Sequence, residues 1–467
     1  MSSKWPLVTI DALKAPTKGA IAIGPFGSRM KSDSYVETGI PVIRGTNITK
    51  GPNFEGEFVH ISKEMADTLG SCNVYKDDLV FPHRGAIGEV GIVIRDERYV
   101  LSSSLMKLSC NKDLVLPQYL YYFFKSHLGR HELLKNASQV GTPGIGQPLT
   151  SLKGIELKLP PLAYQNKVVA SLSSLDSKIS QNQKINESIE QIAQAIFKSW
   201  FVDFDPTKAK IAACEALLAE NPTASPEQIA IAEQQAAIQV IAGAGDVIPT
   251  EQLQSIADLF PNQFIDSELG EIPYGWEIKA LDQIAHYQNG LALQKFRPES
   301  GEDFLPVLKI AQLKAGFADG KEVAKASIKK ECIVDNGDVI FSWSGSLVVD
   351  IWCGGRVALN QHLFKVTSNT YPKWFFYKWT KYHLEEFQRI AADKAVTMGH
   401  IKRSHLSEAK CLIPASELIK NKFISSLIDK QVQVRLESKV LSDVRDSLLP
   451  RLLAGEFSLA KVDSEHE

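Results

Sequence analysis

The chain has 467 residues, 44% hydrophobic and 23% charged, enough for two or three ordinary globular cores, which excludes a chain disordered throughout. A formal charge of -2 argues against a lone, tight DNA binder, because phosphate neutralisation by Lys and Arg supplies most non-specific affinity. The charge is unevenly spread: residues 205–262 hold eight acids and two bases and the tail Lys461–Glu467 three acids and one base, which leaves the remainder at +6. Six well-separated cysteines without a Cys-x-x-Cys pair fit neither a disulfide framework nor a zinc site. The start, Met1-Ser2-Ser3-Lys4-Trp5-Pro6, lacks the apolar stretch of a secretion signal, and no run of about 18 apolar residues is present to span a bilayer. A cytoplasmic protein with no membrane partner is expected.

Residues 1–160 read as a mixed α/β (α+β) domain. Ile40–Ile43, Leu79–Phe81, Val90–Ile94 and Leu105–Leu108 are strand-like runs between Gly and Pro turns, and Leu116–Leu134 reads as one helix with Pro117 in its first turn. Over 161–204 the pattern changes. No Gly or Pro occurs from Leu162 to Phe204, and Val168, Leu172, Leu175 and Ile179, then Ile185, Ile189, Ile192, Ile196 and Trp200, recur three and four apart, with a register shift near Asn182. The pattern predicts one long helix, on the order of 60 Å at about 1.5 Å per residue.

Residues 205–265 are acidic and rich in Ala and Gln, broken at Asn221-Pro222 and Gly243-Ala244-Gly245. Helices are predicted over 210–219 and 226–242, with a third over 253–259. The segment is either a solvated helical linker or a partner-docking insertion.

The second half then repeats the first, about 255 residues on. Leu101-Ser102-Ser103-Ser104-Leu105-Met106-Lys107-Leu108 matches Leu359-Asn360-Gln361-His362-Leu363-Phe364-Lys365-Val366, and Pro117 to Tyr122 matches Pro372 to Tyr377. In the same order, Trp5 to Asp11 matches Trp276 to Asp282, Gly39-Ile40-Pro41-Val42 matches Phe304-Leu305-Pro306-Val307, and Asp78-Leu79-Val80-Phe81 matches Asp338-Val339-Ile340-Phe341. Residues 266–415 are therefore a second copy of the domain, and 416–467 a second long helix with a tail, carrying Ile424, Leu427, Val434, Leu441, Val444, Leu448 and Leu452. Two apolar stripes of this length predict an antiparallel coiled coil; the alternative is two amphipathic helices packed separately on their own domains.

Catalytic signatures are missing. There is no phosphate-binding Gly-x-x-x-x-Gly-Lys-Ser/Thr loop, no Gly-x-Ser-x-Gly and no Asn-Pro-Pro-aromatic tetrapeptide. His127 and His131 stand four apart on a helix without a His-Glu-x-x-His context, so neither a catalytic nor a metal site is expected. The composition favours binding over chemistry.

Base-edge readout needs Arg, Lys, Asn, Gln, His or Ser on loops and helix ends. In the first copy the candidates are Arg29 and Lys31 in Gly24 to Lys31, Arg44 and Asn47, and His83 and Arg84. In the second they are Lys295 and Arg297, Lys309 with Gln312, and Ser342 with Trp343 and Ser344. Two further loops qualify, Gln139 to Gln147 and Met398 to His405; the latter, with His400, Lys402, Arg403 and His405, is the strongest DNA-facing candidate. The frame repeats while these tips differ, as two readers on one scaffold would, although loops also drift after any duplication.

Four segments carry a family resemblance: Leu159-Pro160-Pro161-Leu162-Ala163-Tyr164-Gln165, Ile196 to Phe204, Asp266 to Trp276, and Ser447 to Glu456. With them, nearly the whole chain resembles the specificity subunit of Type I restriction-modification systems. The resemblance implies two target-recognition domains joined by paired helices that act as a ruler, and binding to a two-part asymmetric site on double-stranded DNA. It implies two modification subunits that methylate adenine at N6 with S-adenosylmethionine, and restriction subunits that use ATP and magnesium, with no cofactor held by this chain. Trp200, Phe201, Leu452 and Phe457 would lie where modification subunits grip, unless those side chains belong to the protein's own core. The acidic segment is longer than the family's minimal connection. Two rivals share the plan: an adaptor with two protein-binding heads, and a methylation complex without restriction partners.

Overall fold

The computed structural model describes residues 5–26, 29–49, 51–138, 143–243, 248–393 and 399–456, and the chain divides into two compact units, Met1–Gln181 with Val440–Glu467, and Asn182–Lys439. Each unit thus takes one recognition domain and part of both long helices, rather than leaving the helices as separate domains.

In the first unit, the runs Leu79–Pro82 and Leu105–Leu108, apolar except for Lys107, are buried at every position and pair antiparallel, flanked by Ile21–Ile23 and Gly91–Ile92. Continuous apolar text is what a strand covered on both faces requires. A second sheet runs in the order Tyr35–Val36, Val59–Ile61, Ile40–Ile43, Tyr99–Leu101, Asn73–Val74. The entering strand Leu7–Thr9 pairs with Glu156–Lys158, the last strand before the helix.

The second unit repeats this plan, save that its second sheet has four strands, with no counterpart of Tyr35–Val36 among the described residues. His286–Asn289, Leu363–Thr367, Val339–Ser342 and Val349–Ile351 form its first sheet, and Val323–Lys325, Phe304–Leu308, Val357–Leu359 and Ile333–Val334 its second, while Glu277–Ala280 pairs with Lys410–Ile413. Register is also kept. Val42 lies opposite Val100 and Ile43 opposite Leu101 in a parallel pair, and Val307 lies opposite Ala358 and Leu308 opposite Leu359 in the same arrangement.

The repeated lysine and aspartate of the sequence motifs meet inside each frame. Lys107 Nζ sits 3.3 Å from Asp78 and donates to the Asn73 carbonyl at 2.7 Å; Lys365 Nζ sits 2.7 Å from Asp338 and donates to the Ile333 carbonyl at 2.9 Å. The first pair is buried and the second half-buried, and charges withdrawn from water persist when paired and hydrogen-bonded, which accounts for both partners recurring together.

Two predicted helices are interrupted. Leu116–Leu134 is two helices, Pro117–Lys125 and His127–Leu134, because Ser126 adopts an extended backbone and its hydroxyl accepts from Gly129 N–H and donates to the Phe123 carbonyl. A side chain at Gly129 would place Cβ 2.1 Å from that carbonyl, so only glycine permits the corner. The second long helix begins at Lys422, not near Ser416: Ser416–Lys420 is a separate turn of helix, and Asn421 caps the next by accepting from Phe423 N–H at 2.8 Å.

The central helix Leu162–Phe201 and the C-terminal helix Lys422–Leu453 run antiparallel within each unit. In the first, Tyr164 Oη donates to the Leu452 carbonyl and Arg445 meets Asp176 at 2.7 Å. In the second, Asn182 donates to Glu437 at 3.0 Å and Gln431 to Glu190 at 2.9 Å. The partner's number falls as the central helix advances, as antiparallel packing demands.

Three helices occupy the acidic segment, Asp205–Glu220, Pro226–Ala242 and Thr250–Ala257. They are not merely a solvated linker. Ala237, Ile241, Leu253, Ile256, Ala257 and Phe260 join the core of the second unit, and Lys210 Nζ donates to the Phe260 carbonyl at 2.6 Å.

Candidate nucleic-acid interface

The frame carries the predicted tips to the ends of its strands, and each unit ties two tips together. His83 and Gly85 exchange backbone hydrogen bonds with Ile145 and Pro143; at the equivalent place Trp343 and Gly345 bond to Ile401 and Gly399. The loop after the buried strand is thereby joined to the loop that precedes the final helix and strand. In the second unit this brings Trp343 to 6.4 Å from the His400 ring, edge to face. Arg403 is held nearby, its guanidinium 5.3 Å from the Phe364 ring and donating to the Tyr287 carbonyl at 3.0 Å.

Arg29, Lys31, Arg84, Lys295, Arg297, His400, Lys402 and Arg403 are exposed. Arg29 also donates to the Thr68 carbonyl at 3.1 Å, and half-buried Lys309 forms an ion pair with Glu322. No hydrogen bond or ring contact among the described residues links Lys295 or Arg297 to the Trp343 group.

Four candidates are internal instead. Asn47 is buried: its amide donates to the Glu55 and Glu57 carbonyls and accepts from Arg44 N–H, which holds the loop closed, while Arg44 itself is half-buried and donates to Glu57. Ser342 is buried and its hydroxyl bridges Ser346 and Val348. His405 is buried and its Nδ1 accepts from Lys402 N–H, capping the helix Arg403–Glu408. His83 is buried with Nε2 donating to the Ser103 carbonyl; burial pushes its pKa below the ordinary histidine value, against the pull of that bond. All four shape loops rather than present themselves to a ligand.

The expected partner-gripping residues are likewise in the cores. Trp200 and Phe201 are fully buried in the second unit, against Phe260, Trp276, Trp374 and Phe375, and Leu452 is buried in the first. An apolar helix end reads the same in sequence whether a partner or the chain itself covers it; here the chain does. Phe457, Met398, Gln139 to Thr142, and Gly27 and Ser28 lie outside the described residues.

Sequence reasoning missed the turns Ser102–Ser104 and Asn360–His362, which adjoin these tips through the His83–Ser103 and Trp343–His362 contacts. Their signal was present: inside the repeated eight-residue motif the flanking leucines and the lysine recur while the middle three residues differ.

All six cysteines are free, and among the described residues there is no metal-binding cluster and no helix long and apolar enough to cross a membrane. One frame used twice, with unlike polar tips, defines a two-domain recognition protein. Residues 27–191 and 273–441 match the Type I restriction modification DNA specificity domain. The chain is 26% identical over 437 residues to the Type I restriction enzyme HindI specificity subunit of Haemophilus influenzae, covering 88% of this chain and 94% of that protein. It is 24% identical to the MjaIX specificity subunit of Methanocaldococcus jannaschii, covering 87% and 85%. The crystal structure of a Type I restriction-modification system S subunit from M. genitalium shares the fold, with a TM-score of 0.50, 14% identity and 96% of each chain covered. The chain belongs to the Type I restriction-modification specificity family.

Proposed function

We propose that this chain is the DNA-reading subunit of a Type I restriction-modification complex, non-catalytic itself, with each domain reading one half of a two-part asymmetric site on double-stranded DNA. The observation that carries the reading is the pair of register-matched frames with unlike tips, each spanned by its own match to the specificity domain. Two modification subunits, methylating adenine at N6 with S-adenosylmethionine, would be positioned by it, and restriction subunits using ATP and magnesium would join them in the cytoplasm. Arg29, Lys31, Arg84, Lys295, Arg297, His400, Lys402 and Arg403 are the proposed contact set, being exposed and largely cationic. Their joint role is phosphate neutralisation and docking, with the base edges read beside them.

The test is duplex binding by the full chain over a range of salt. Changing Lys402 and Arg403 together to Ala weakens binding and lowers the slope of log affinity against log salt by about one to two. An unchanged slope removes that loop from the surface. Absence of any salt-dependent duplex binding by the wild-type chain, alone and in complex, returns the adaptor reading.

A further inference from the structure

The two overlooked turns share one set of backbone hydrogen bonds. Residue 102 N–H donates to the Ile43 carbonyl and residue 360 N–H to the Leu308 carbonyl; Leu105 N–H closes on Ser102 and Leu363 N–H on Asn360. Gly24 N–H donates to Leu105 and Gly290 N–H to Leu363, while His83 N–H donates to Ser104 and Trp343 N–H to His362. The glycines are required by close approach: a Cβ on Gly24 would lie 1.9 Å from the Ser102 carbonyl oxygen, and one on Gly290 2.3 Å from that of Asn360. None of these eight bonds uses a side chain of the turn, so the side chains are free to differ without disturbing it.

They do differ. The first turn offers short hydroxyls, with Ser102 and Ser104 Oγ 3.2 Å apart. The second carries Gln361 and His362 on a more rigid base: Gln361 N–H donates to the Leu291 carbonyl at 2.9 Å, and the Asn360 side chain accepts from His362 N–H. His362 Nδ1 lies 2.9 Å from Ser344 Oγ, and its Nε2 lies 3.3 Å from the Gln361 amide nitrogen. An amide nitrogen only donates, so His362 Nε2 accepts and the imidazole proton sits on Nδ1, facing the Ser344 hydroxyl. The Trp343 ring, 6.1 Å away, backs the imidazole. The Gln361 amide is thereby oriented, with Oε1 and one N–H uncommitted among the described residues.

An oriented amide with one donor and one acceptor side by side matches the N7 acceptor and N6 donor of adenine in the major groove. We propose that Gln361, positioned by His362, reads an adenine in the half-site of the second domain, and that Ser103 and Ser104 hold the corresponding reading place in the first. The inference rests on the DNA-reading function proposed above. It assigns base readout to this turn, and leaves phosphate contact to Lys402 and Arg403.

The experiment selects bound duplexes from a randomised library with the full-length chain assembled with its modification subunits. Wild type yields two fixed blocks. Gln361→Ala relaxes one position of one block, with about 5- to 100-fold loss of discrimination for adenine there, while the other block and the salt slope stay as in wild type. His362→Asn relaxes the same position less, as expected of a positioning residue. The double change S103Q/S104H alters the other block alone. Retention of the wild-type consensus by Gln361→Ala, or a lowered salt slope with both blocks intact, overturns the assignment. Gln361 is half-buried in a turn held by its backbone, so its variant keeps the fold, and an unchanged thermal transition verifies that. A wild-type complex that selects no two-block consensus defeats the proposed function itself, a result distinct from either failure of the turn.

Discussion

The two units fasten their domain to the long helices with different chemistry. In the first, Asp176 of the central helix accepts from Arg445 of the C-terminal helix at 2.7 Å and from the Tyr122 hydroxyl at 2.8 Å, so the two helices balance charge between themselves and the domain adds a neutral donor. In the second, Glu190 accepts from Lys378 at 3.0 Å and Lys381 at 2.6 Å, both on the domain, and from the Gln431 amide of the C-terminal helix. There the charge balance lies between domain and helix, and the helix partner is neutral. One plan, duplicated, has kept an acid facing a domain helix while exchanging which neighbour neutralises it.

Removing Glu190 is the most damaging way to break this comparison, since Lys378 is fully buried and would lose its counter-charge. Glu190→Gln is expected to destabilise the second unit by about 3 kcal/mol or more, the scale for breaking a buried pair. Urea unfolding followed by tryptophan fluorescence reads this unit almost alone, because six of the seven tryptophans lie in it and only Trp5 in the other. An unchanged midpoint would mean the pair contributes nothing to holding that junction.

Tyr122→Phe is the gentler counterpart. Asp176 keeps Arg445, so the cost is one hydrogen bond to a charged acceptor, about 1.5–3 kcal/mol, confined to the first unit. Amide exchange should speed up across Pro117–Lys125 and leave the second unit as it was; equal acceleration in both would mean that the two junctions are not independent.

Acid separates the units by the smallest margin. Burial depresses the pKa of His83 in the first unit and of His383 in the second, each opposed by donation to a carbonyl, of Ser103 and Lys410 respectively. A depressed histidine is neutral when folded, so its contribution is complete above the ordinary value near 6.5 and is lost as pH falls below it. Both units should soften slightly there. Burial alone would raise the Glu190 carboxyl, but Lys378 and Lys381 outweigh it and hold it at about 2. Its contribution is complete above the ordinary value near 4.5 and declines as pH falls from there toward 2. The fluorescence-detected midpoint should therefore fall in two stages on acidification, with the second stage absent in Glu190→Gln.

Legibility in the sequence followed the range of the forces involved. The duplicated frame could be read because Lys107 and Asp78 recur with Lys365 and Asp338, and because buried strands impose unbroken apolar text. The central helix was legible to within a few residues from its spacing. The corner at Ser126 was not, since a serine and a glycine inside an apolar run break a helix only when a neighbouring carbonyl crowds the glycine. Nor were the fates of Asn47, Ser342 and His405, whose polar groups look available until the folded loops supply partners three to ten positions away. Of the proposed contact surface, the exposed cations were recognisable by residue type, whereas the Gln361 turn emerged only once its shared backbone bonds were seen.

The ring cluster at the end of the central helix limits where the chain can be cut. Trp200 is covered by Phe260 and Phe201 by Trp276 and Trp374, all of which follow it in the chain. A gene interrupted just beyond Phe204 would leave an indole and a phenyl naked at the tip of a helix, so a half-length product must borrow a roof from another molecule or precipitate. Cut at its midpoint, the earlier copy would therefore need a substitute for the cover that the later one supplies.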